Sequence, residues 1–249
     1  MLAFLYGAVV YLFFLATFIY AIGFVGNIGV PRGLDSAPIA SPGLSLLIDL
    51  ALLALFAVQH SVMARKRFKA WWTKIVSPVV ERSTYVLASS IVLGALCWHW
   101  HPIEGVVWSV KDSTAVIAIQ IVFWLGWGVL LLATFLINHF ELFGLRQVYA
   151  QLKGSTIPTQ EFRTPSLYKH VRHPIYLGFV LSFWATPEMS LGHLLFAAGA
   201  TGYIFVGIWF EERDLVAHFG ERYRTYRKQV PMLIPGFSKR SGSGSAKEG

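Results

Sequence analysis

Long apolar runs separated by short polar segments divide this chain. Four of them occupy the first half, at residues 2–25, 44–63, about 84–100 and 114–137. Each approaches the ~20 residues that a helix needs to cross a hydrocarbon core of ~30 Å. The pattern therefore predicts an N-terminal region, residues 1–137, that contains four transmembrane helices.

The character of the chain changes after residue 137. Residues 138–169 mix charged residues, Gly and Pro, and a further apolar region follows at 175–210, with an interruption at 186–188. Its first piece is short for a span and its second is of full length, which predicts a helical hairpin or, alternatively, a re-entrant first arm. We expect residues 138–236 to form a second region and the partly Gly/Ser-rich residues 237–249 to form a disordered tail.

The composition indicates a membrane protein. Hydrophobic residues make up 55% of the chain, charged residues only 14%, and the mean hydropathy is +0.55. A soluble domain of this length would carry more charge on its surface. The expected fold is therefore an all-α, polytopic integral membrane helix bundle with five to six transmembrane helices.

The distribution of charge predicts the orientation of the bundle. The net charge is +8, and the basic residues cluster in three segments, after the second run, after the fourth run and after the last. This placement is typical of cytoplasmic loops beside anionic lipid, and it argues against a nucleic-acid-binding surface. Six crossings with both ends in the cytoplasm satisfy it, whereas five would put the N-terminus outside. The first run lacks a basic leader and a cleavage site, so we expect a retained helix.

Neither cysteine nor metal chemistry is expected. The one cysteine, Cys97, lies in the third apolar run and cannot form an internal disulfide. The histidines show neither an HxxxH nor an HxxEH arrangement, and no zinc-type Cys/His spacing occurs. We predict no metal site.

A dense polar motif stands at the entry to the fifth apolar run. It reads Tyr168-Lys169-His170-Val171-Arg172-His173-Pro174-Ile175-Tyr176-Leu177-Gly178. Positive charge at the membrane edge explains Lys169 and Arg172, but it does not explain the histidines and tyrosines around them. Pro174 suits a helix start, and Gly178 suits a close backbone approach. The motif therefore predicts a binding site.

A second motif follows the last apolar run. It comprises Glu211-Glu212-Arg213-Asp214-Leu215, then Phe219-Gly220, Tyr223, Tyr226, Val230-Pro231 and Pro235. Two carboxylates beside Trp209 and Phe210 are costly at the membrane edge unless they have partners. Taken by itself, the segment is equally consistent with an ordinary amphipathic cytoplasmic helix.

Together, the two motifs resemble the C-terminal signature of the isoprenylcysteine carboxyl methyltransferase superfamily over about residues 168–235. The resemblance implies a membrane methyltransferase that binds S-adenosylmethionine without a Rossmann domain, in a chain with no GxGxxG after a strand. Both motifs lie on the cytoplasmic side in the predicted topology, so we expect a cytoplasmic cofactor site formed by the loop after the fourth helix and the C-terminal helix.

Upstream segments resemble a narrower branch of that superfamily. They read Gln59-His60-Ser61-Val62-Met63-Ala64-Arg65, Glu81-Arg82-Ser83-Thr84-Tyr85 and Asn138-His139-Phe140-Glu141-Leu142-Phe143-Gly144-Leu145-Arg146-Gln147. The branch contains the bacterial methanethiol S-methyltransferases and related proteins of the nitrite-reductase accessory type. It implies a protein of the bacterial inner membrane whose partners are a small thiol and membrane lipid.

The chemical groups of S-adenosylmethionine suggest which residues bind each part. Arg172 is the natural bidentate partner of the carboxylate. The ammonium group needs a carboxylate, and the candidates are Glu211, Glu212 and Glu141. The first candidates for the adenine are His173, Tyr176 and Tyr223, and the second choices are His170, Gln147 and His139.

The implied reaction is an in-line attack of a thiol sulfur on the methyl group, which converts methanethiol to dimethyl sulfide and leaves S-adenosylhomocysteine. A thiol with a pKa of ~8.5 or above is mostly protonated at neutral pH, so the site must remove the proton or favour the thiolate. His60, beside Gln59, is the candidate base. Arg82 or Arg65 could stabilise the anion, with Tyr85 on the same helix face as Arg82.

Three other functions remain open at this point. The acceptor could be a prenylated cysteine or another lipophilic group. The chain could be an NADPH-dependent enzyme related to the sterol reductases, although Pro174 and the Glu211–Glu212 pair favour a methyltransferase. It could also be a non-enzymatic accessory protein of nitrogen-oxide respiration.

Overall fold

The computed structural model describes residues 1–156 and 162–236. The tail expected at 237–249 lies outside the described residues. The helices are α1 (Leu2–Gly26), α2 (Pro42–Ala64), α3 (Lys66–Trp72), α4 (Pro78–His99), α5 (Ser113–Ile137), α6 (His139–Leu142), α7 (Leu145–Lys153), α8 (Pro174–Trp184), α9 (Leu191–Phe219) and α10 (Glu221–Gln229). A short 3₁₀ helix covers Ser166–Lys169, and the strands are β1 (Val106–Ser109) and β2 (Glu188–Ser190).

Five of the described helices are long and apolar enough to cross a membrane, namely α1, α2, α4, α5 and α9. The predicted all-α polytopic membrane bundle is therefore confirmed. The fifth apolar run forms α8, which has 11 residues and is about 16 Å long at 1.5 Å per residue. Since α8 is shorter than the five candidate spans, the hairpin that it forms with α9 has unequal arms.

Local sequence explains where several helices begin and end. A proline stands in the first turn of α2, α4 and α8, where its missing N–H costs nothing. The carboxylate of Asp112 caps α5, and the hydroxyl of Ser190 caps α9. Asn27 ends α1 in the left-handed conformation, with φ at 54°.

Three segments rich in basic residues meet at one end of the bundle. Arg65 lies 3.7 Å from Asp214 at the end of α9, and Arg82 donates to the Leu142 carbonyl oxygen at 2.8 Å. Arg172 donates to the carbonyl oxygen of Val230. We call this the basic end.

The two ends of the described chain lie on the same side of the bundle. Tyr6 of α1 hydrogen-bonds to Thr84 of α4 at 3.0 Å, and the rings of Tyr20 and Trp98 are 6.3 Å apart. The helices α1 and α4 therefore run parallel, and both start at the basic end. The C-terminal helix α10 follows α9 there as well, which is the arrangement that an even number of passes produces.

The opposite end carries a two-stranded antiparallel sheet of β1 and β2. The apolar pattern did not predict it, because strands of four and three residues are too short to show an alternation. The sheet joins the loop between α4 and α5 to the turn of the α8–α9 hairpin. It fixes where α9 begins.

A contact between glycines brings α5 and α8 close together. A Cβ on Gly178 would lie 2.6 Å from the Gly126 carbonyl oxygen, and a Cβ on Gly126 would lie 2.8 Å from that of Gly178. Ser182, one turn after Gly178, donates to the Phe123 carbonyl oxygen at 3.1 Å. The close backbone approach expected at Gly178 is confirmed, and it sets the position of α8.

Candidate functional site

Arg172 connects three segments at the basic end. Its Nε donates to Oε1 of Glu212 at 2.7 Å, and its Nη1 donates to the carbonyl oxygens of Arg227, at 3.0 Å, and Val230. The Arg172 and Glu212 side chains are only 10% and 12% exposed. The residue that was predicted to bind a carboxylate is therefore largely occupied in holding α10 against α9.

His173 lies between the two glutamates of the second motif. Its Nε2 is 3.2 Å from Glu212 and its Nδ1 is 3.8 Å from Glu211, and its side chain is almost fully buried. Its backbone N–H donates to the Met232 carbonyl oxygen at 3.2 Å. The two motifs, far apart in the chain, thus share one network, and that they bind one cofactor, as their joint resemblance implies, stays a prediction.

The tyrosines of the two motifs lie beside this network. The Tyr176 ring centroid is 5.6 Å from that of His173, and Tyr226 donates to the Tyr168 carbonyl oxygen. Burial raises the pKa of Tyr223, and the charges of Glu212 and Glu211 raise it further. Burial also raises the pKa of Tyr226, to about 12. Both phenols of α10 therefore stay protonated near neutral pH and can donate hydrogen bonds.

A second polar group joins α2 and α4. Nε2 of His60 is 2.8 Å from the Tyr85 hydroxyl, and its Nδ1 is 3.2 Å from the Ser89 hydroxyl. Gln59 donates to Ser89 at 3.4 Å, and its side-chain oxygen is buried without a partner in the described chain. The predicted base and its neighbours are therefore assembled as one cluster.

Two arginines border the His60 cluster. The Arg82 guanidinium lies over the Tyr85 ring, 5.3 Å from its centroid, and that of Arg65 lies 4.5 Å from the Phe210 centroid. Arg82 is also held by the Leu142 carbonyl oxygen. Both predicted cations lie at the edge of the cluster, where they can interact with an anion.

Tyr203 of α9 was missed by the sequence interpretation. Its hydroxyl is 3.1 Å from that of Ser61, and its ring centroid is 6.4 Å from that of His60. It lies eight residues before Glu211, so the two share a helix face with Gly207 between them. This spacing within an apolar run was the sequence signal that could have identified Tyr203.

Tyr176 lies between the two groups. Its ring lies 5.6 Å from that of His173, and its hydroxyl lies 3.8 Å from where a Cβ on Gly207 would be, on the turn of α9 between Tyr203 and Glu211. The region bounded by α2, α4, α8 and α9 thus has the His60 cluster on one side and the Glu211–Glu212 network on the other. The arrangement places a potential base and a pair of carboxylates in the same part of the bundle.

His139 and Glu141 lie in a separate corner after α5. His139 is 2.8 Å from both the Tyr11 and the Thr134 hydroxyls, and burial lowers its pKa. Glu141 pairs with Arg146 at 2.6 Å. The corner adjoins the His60 side through Leu142, whose carbonyl oxygen binds Arg82.

Gln147 and His170 have fewer contacts than the other predicted site residues. Gln147 donates to the Glu141 carbonyl oxygen at 3.1 Å, and its own side-chain oxygen is buried without a partner in the described residues. His170 is exposed at the end of the 3₁₀ helix. Within residues 1–156 and 162–236, no three His, Cys, Asp or Glu side chains are grouped so that they could hold a metal ion.

Comparison with known proteins identifies relatives of this chain. No protein-family model and no solved structure matches the chain. A protein named methanethiol S-methyltransferase from Mycobacterium tuberculosis is 55% identical, over 94% of this chain and 96% of its own length. One of the same name from Crocosphaera subtropica is 52% identical, over 95% and 93%. A Nurim homolog from Drosophila pseudoobscura pseudoobscura is 32% identical, over 74% and 75%.

The relatives of that name cover nearly the whole chain, including the His60 cluster, the corner after α5 and both C-terminal motifs. This agrees with the resemblance inferred from the motifs. The chain belongs to the methanethiol S-methyltransferase family.

Proposed function

We propose that this protein is a methyltransferase of the bacterial inner membrane that converts methanethiol to dimethyl sulfide. S-adenosylmethionine would be the methyl donor, and S-adenosylhomocysteine would be the second product. The main observation behind the proposal is that Tyr176 lies between the His60 cluster and the Glu211–Glu212 network. The names of the relatives supply the acceptor.

The residues present fit the donor. Its ammonium and sulfonium groups are cationic, and Glu211 offers a carboxylate that is 44% exposed beside the buried His173. Two buried side-chain oxygens, of Gln59 and Gln147, are unpartnered in the described chain and can accept N–H groups. Arg172 can still offer its remaining N–H groups to the carboxylate, although Nε and Nη1 are engaged.

The adenine would lie against the aromatic residues of the two motifs. His173, Tyr176 and Tyr223 remain the proposed contacts, with His170 and His139 as second choices. Because the Tyr223 phenol stays protonated, it can donate to a ring nitrogen. Glu212 is held by Arg172 and His173, so we assign the ammonium to Glu211 first.

S-adenosylmethionine supplies a methyl group that is already activated on a sulfonium, so the chain has to position the acceptor and remove a proton. A neutral His60 has one unprotonated nitrogen, and where this is Nε2 it can accept that proton through the Tyr85 hydroxyl at 2.8 Å. The Arg82 guanidinium over Tyr85 favours the thiolate electrostatically. Arg65 is the alternative partner for the anion, although it also interacts with Asp214.

The proposal is tested with the detergent-purified full chain. Protein incubated with methanethiol and S-adenosylmethionine labelled in the methyl group should release labelled dimethyl sulfide into the headspace. A prenyl-cysteine analogue supplied instead should remain unmethylated, and NADPH should not compete with S-adenosylhomocysteine for binding. Labelled prenyl-cysteine without dimethyl sulfide would assign a lipophilic acceptor, and a protein that binds neither nucleotide would overturn the enzyme assignment.

A further inference from the structure

A groove with a basic lining lies between the end of α9 and α10. Its lining residues are Arg213, Val216, Ala217, Arg224 and Arg227, and its volume is about 390 Å³. We call it the arginine groove. Every charged residue in this lining is an arginine, so the groove presents a concentrated positive charge at the basic end.

The charge of the arginine groove is only partly neutralised. Arg224 pairs with Glu221 at 3.1 Å, and Arg227 lies 3.7 Å from Glu212. Both arginines are about half exposed, so these pairs are weak in water. Arg213 lies over the Trp209 ring, 4.7 Å from its centroid. Three guanidinium groups with planar N–H donors can together bind a phosphate group.

An exposed apolar stripe on α9 leads into the groove. Val206 and Trp209 are 49% and 54% exposed, and they precede Arg213 at intervals of three and four residues. Residues at this spacing lie above one another on one helix face. Val206 is about 10 Å from Arg213 along the axis, at 1.5 Å per residue. In a membrane, this stripe faces acyl chains, with the indole near the headgroups.

We infer that the arginine groove binds the phosphate headgroup of an anionic phospholipid whose acyl chains lie along the Val206–Trp209 stripe. Positive charge and an apolar surface meet here on one helix face, as a lipid requires, whereas a soluble anion would use the charge only. The lipid would contact α10 through Arg224 and Arg227 and would therefore help to hold this helix in place. Arg172 already binds the same helix through the Arg227 carbonyl oxygen. The inference does not depend on the methyl-transfer reaction.

The test compares lipids on the purified full chain by native mass spectrometry and by thermal unfolding. The probes are phosphatidylglycerol, phosphatidylcholine with the same acyl chains, and inorganic phosphate. The variant is Arg213→Gln/Arg224→Gln. The matched control, Arg67→Gln/Arg222→Gln, removes the same charge from exposed positions at the basic end that do not line the groove.

Phosphatidylglycerol should bind the wild-type chain in preference to phosphatidylcholine and should raise its unfolding temperature more than phosphate does. Its affinity should fall about thirtyfold in the groove variant, the effect of two arginines near an anionic headgroup. The control variant should bind within a factor of about three of wild type.

Equal weakening in both variants, or equal retention of the two lipids by wild type, would overturn the inference. Stabilisation by phosphate equal to that by phosphatidylglycerol would assign a free anion instead. If the groove variant does not fold, the wild-type comparison still decides.

Discussion

Arg172 serves a structural purpose that its motif did not reveal. Its Nε and Nη1 atoms bind Glu212 and two carbonyl oxygens of the C-terminal segment. Removal of the guanidinium would leave Glu212 buried with a weaker set of partners and α10 without its main polar attachment. A loss of donor binding in an Arg172 variant would therefore have two sources, direct contact and the position of α10.

Arg172→Ala should raise the dissociation constant of S-adenosylhomocysteine at least about tenfold, because charge-assisted hydrogen bonds contribute roughly 1.5–3 kcal/mol. It should also lower the unfolding temperature, since Glu212 stays buried with fewer partners. Calorimetry and thermal unfolding measure the two effects separately. Arg222→Ala, exposed on α10, is the control. Unchanged affinity would remove Arg172 from the donor site and leave its structural role.

His60→Ala should slow turnover about 10²–10⁴-fold while S-adenosylhomocysteine affinity is retained, because general bases contribute on that scale. The loss should be largest near neutral pH and shrink as rising pH ionises the thiol in solution. Headspace assays from pH 6 to 10 measure it, with His218→Ala, an exposed change at the basic end, as the control. The same turnover in wild type and variant across this range would show that His60 is not the base.

At the scale of elements, the position of α8 depends on its contact with α5. Two facing glycines let the backbones approach, and the Ser182 hydroxyl bonds across the interface. Because α8 carries His173 and Tyr176, a displacement of this helix moves part of the candidate site. Small residues at helix contacts take this role in membranes, where apolar burial does not drive association.

Gly178→Ala should destabilise the bundle by about 1–3 kcal/mol, because the new methyl group would overlap the Gly126 carbonyl oxygen and Leu130. Gly128→Ala, on the same helix as Gly126, meets no atom within 4 Å and is the matched control. It should be neutral or stabilising by up to ~1 kcal/mol. Thermal unfolding in detergent gives both values. Equal stability of the two variants would show that the α5–α8 contact can relax.

At the scale of the whole molecule, a polar network secures the end opposite the site. Asp35 accepts hydrogen bonds from Asn27 at 2.6 Å and from the Ser190 hydroxyl, and its other contact is His193 at 3.0 Å. Burial alone would raise the pKa of Asp35, but the hydrogen bond and charge of His193, helped by Ser190 and Asn27, lower it. The network joins the loop after α1 to the start of α9.

Stability should fall in acid because of this network. The folded pKa of Asp35 lies below its ordinary value of 3.8, so its contribution is complete above about pH 4 and is lost as pH falls through the folded pKa. The difference in unfolding temperature between wild type and Asp35→Asn should be constant above about pH 4, with wild type the more stable, and should shrink as pH falls below that value. The control Asp112→Asn should change much less, since Asn also caps helices. A constant difference down to pH 2 would contradict the assignment.

The basic end should face the cytoplasm, since loops rich in arginine and lysine are retained there. A green fluorescent protein fused after residue 236 should fluoresce in bacteria, and alkaline phosphatase fused within the loop that contains Asp35 should be active. The reverse pattern would put the candidate site outside the cell, away from a soluble donor.

The apolar runs and loop charges were sufficient to predict a helical membrane bundle, because a lipid-embedded backbone must satisfy its own hydrogen bonds. The two C-terminal motifs likewise predicted a shared network, in which Arg172 and Glu212 are 40 residues apart but 2.7 Å distant. Motifs identify residue types and order, and helix faces follow from spacing, so candidate residues could be named from the sequence, and their roles stay predictions.

Only the tertiary structure decided which partners those residues have. The carbonyl oxygens that occupy Arg172, the contact of Ser61 with Tyr203 and the pairing of β1 with β2 all join segments that are distant in sequence. The amino-acid sequence alone was enough to establish the class of molecule, because the spacing of apolar residues sets which helix faces meet lipid. Backbone acceptors are present at every residue, so the choice among them depends on how the helices pack.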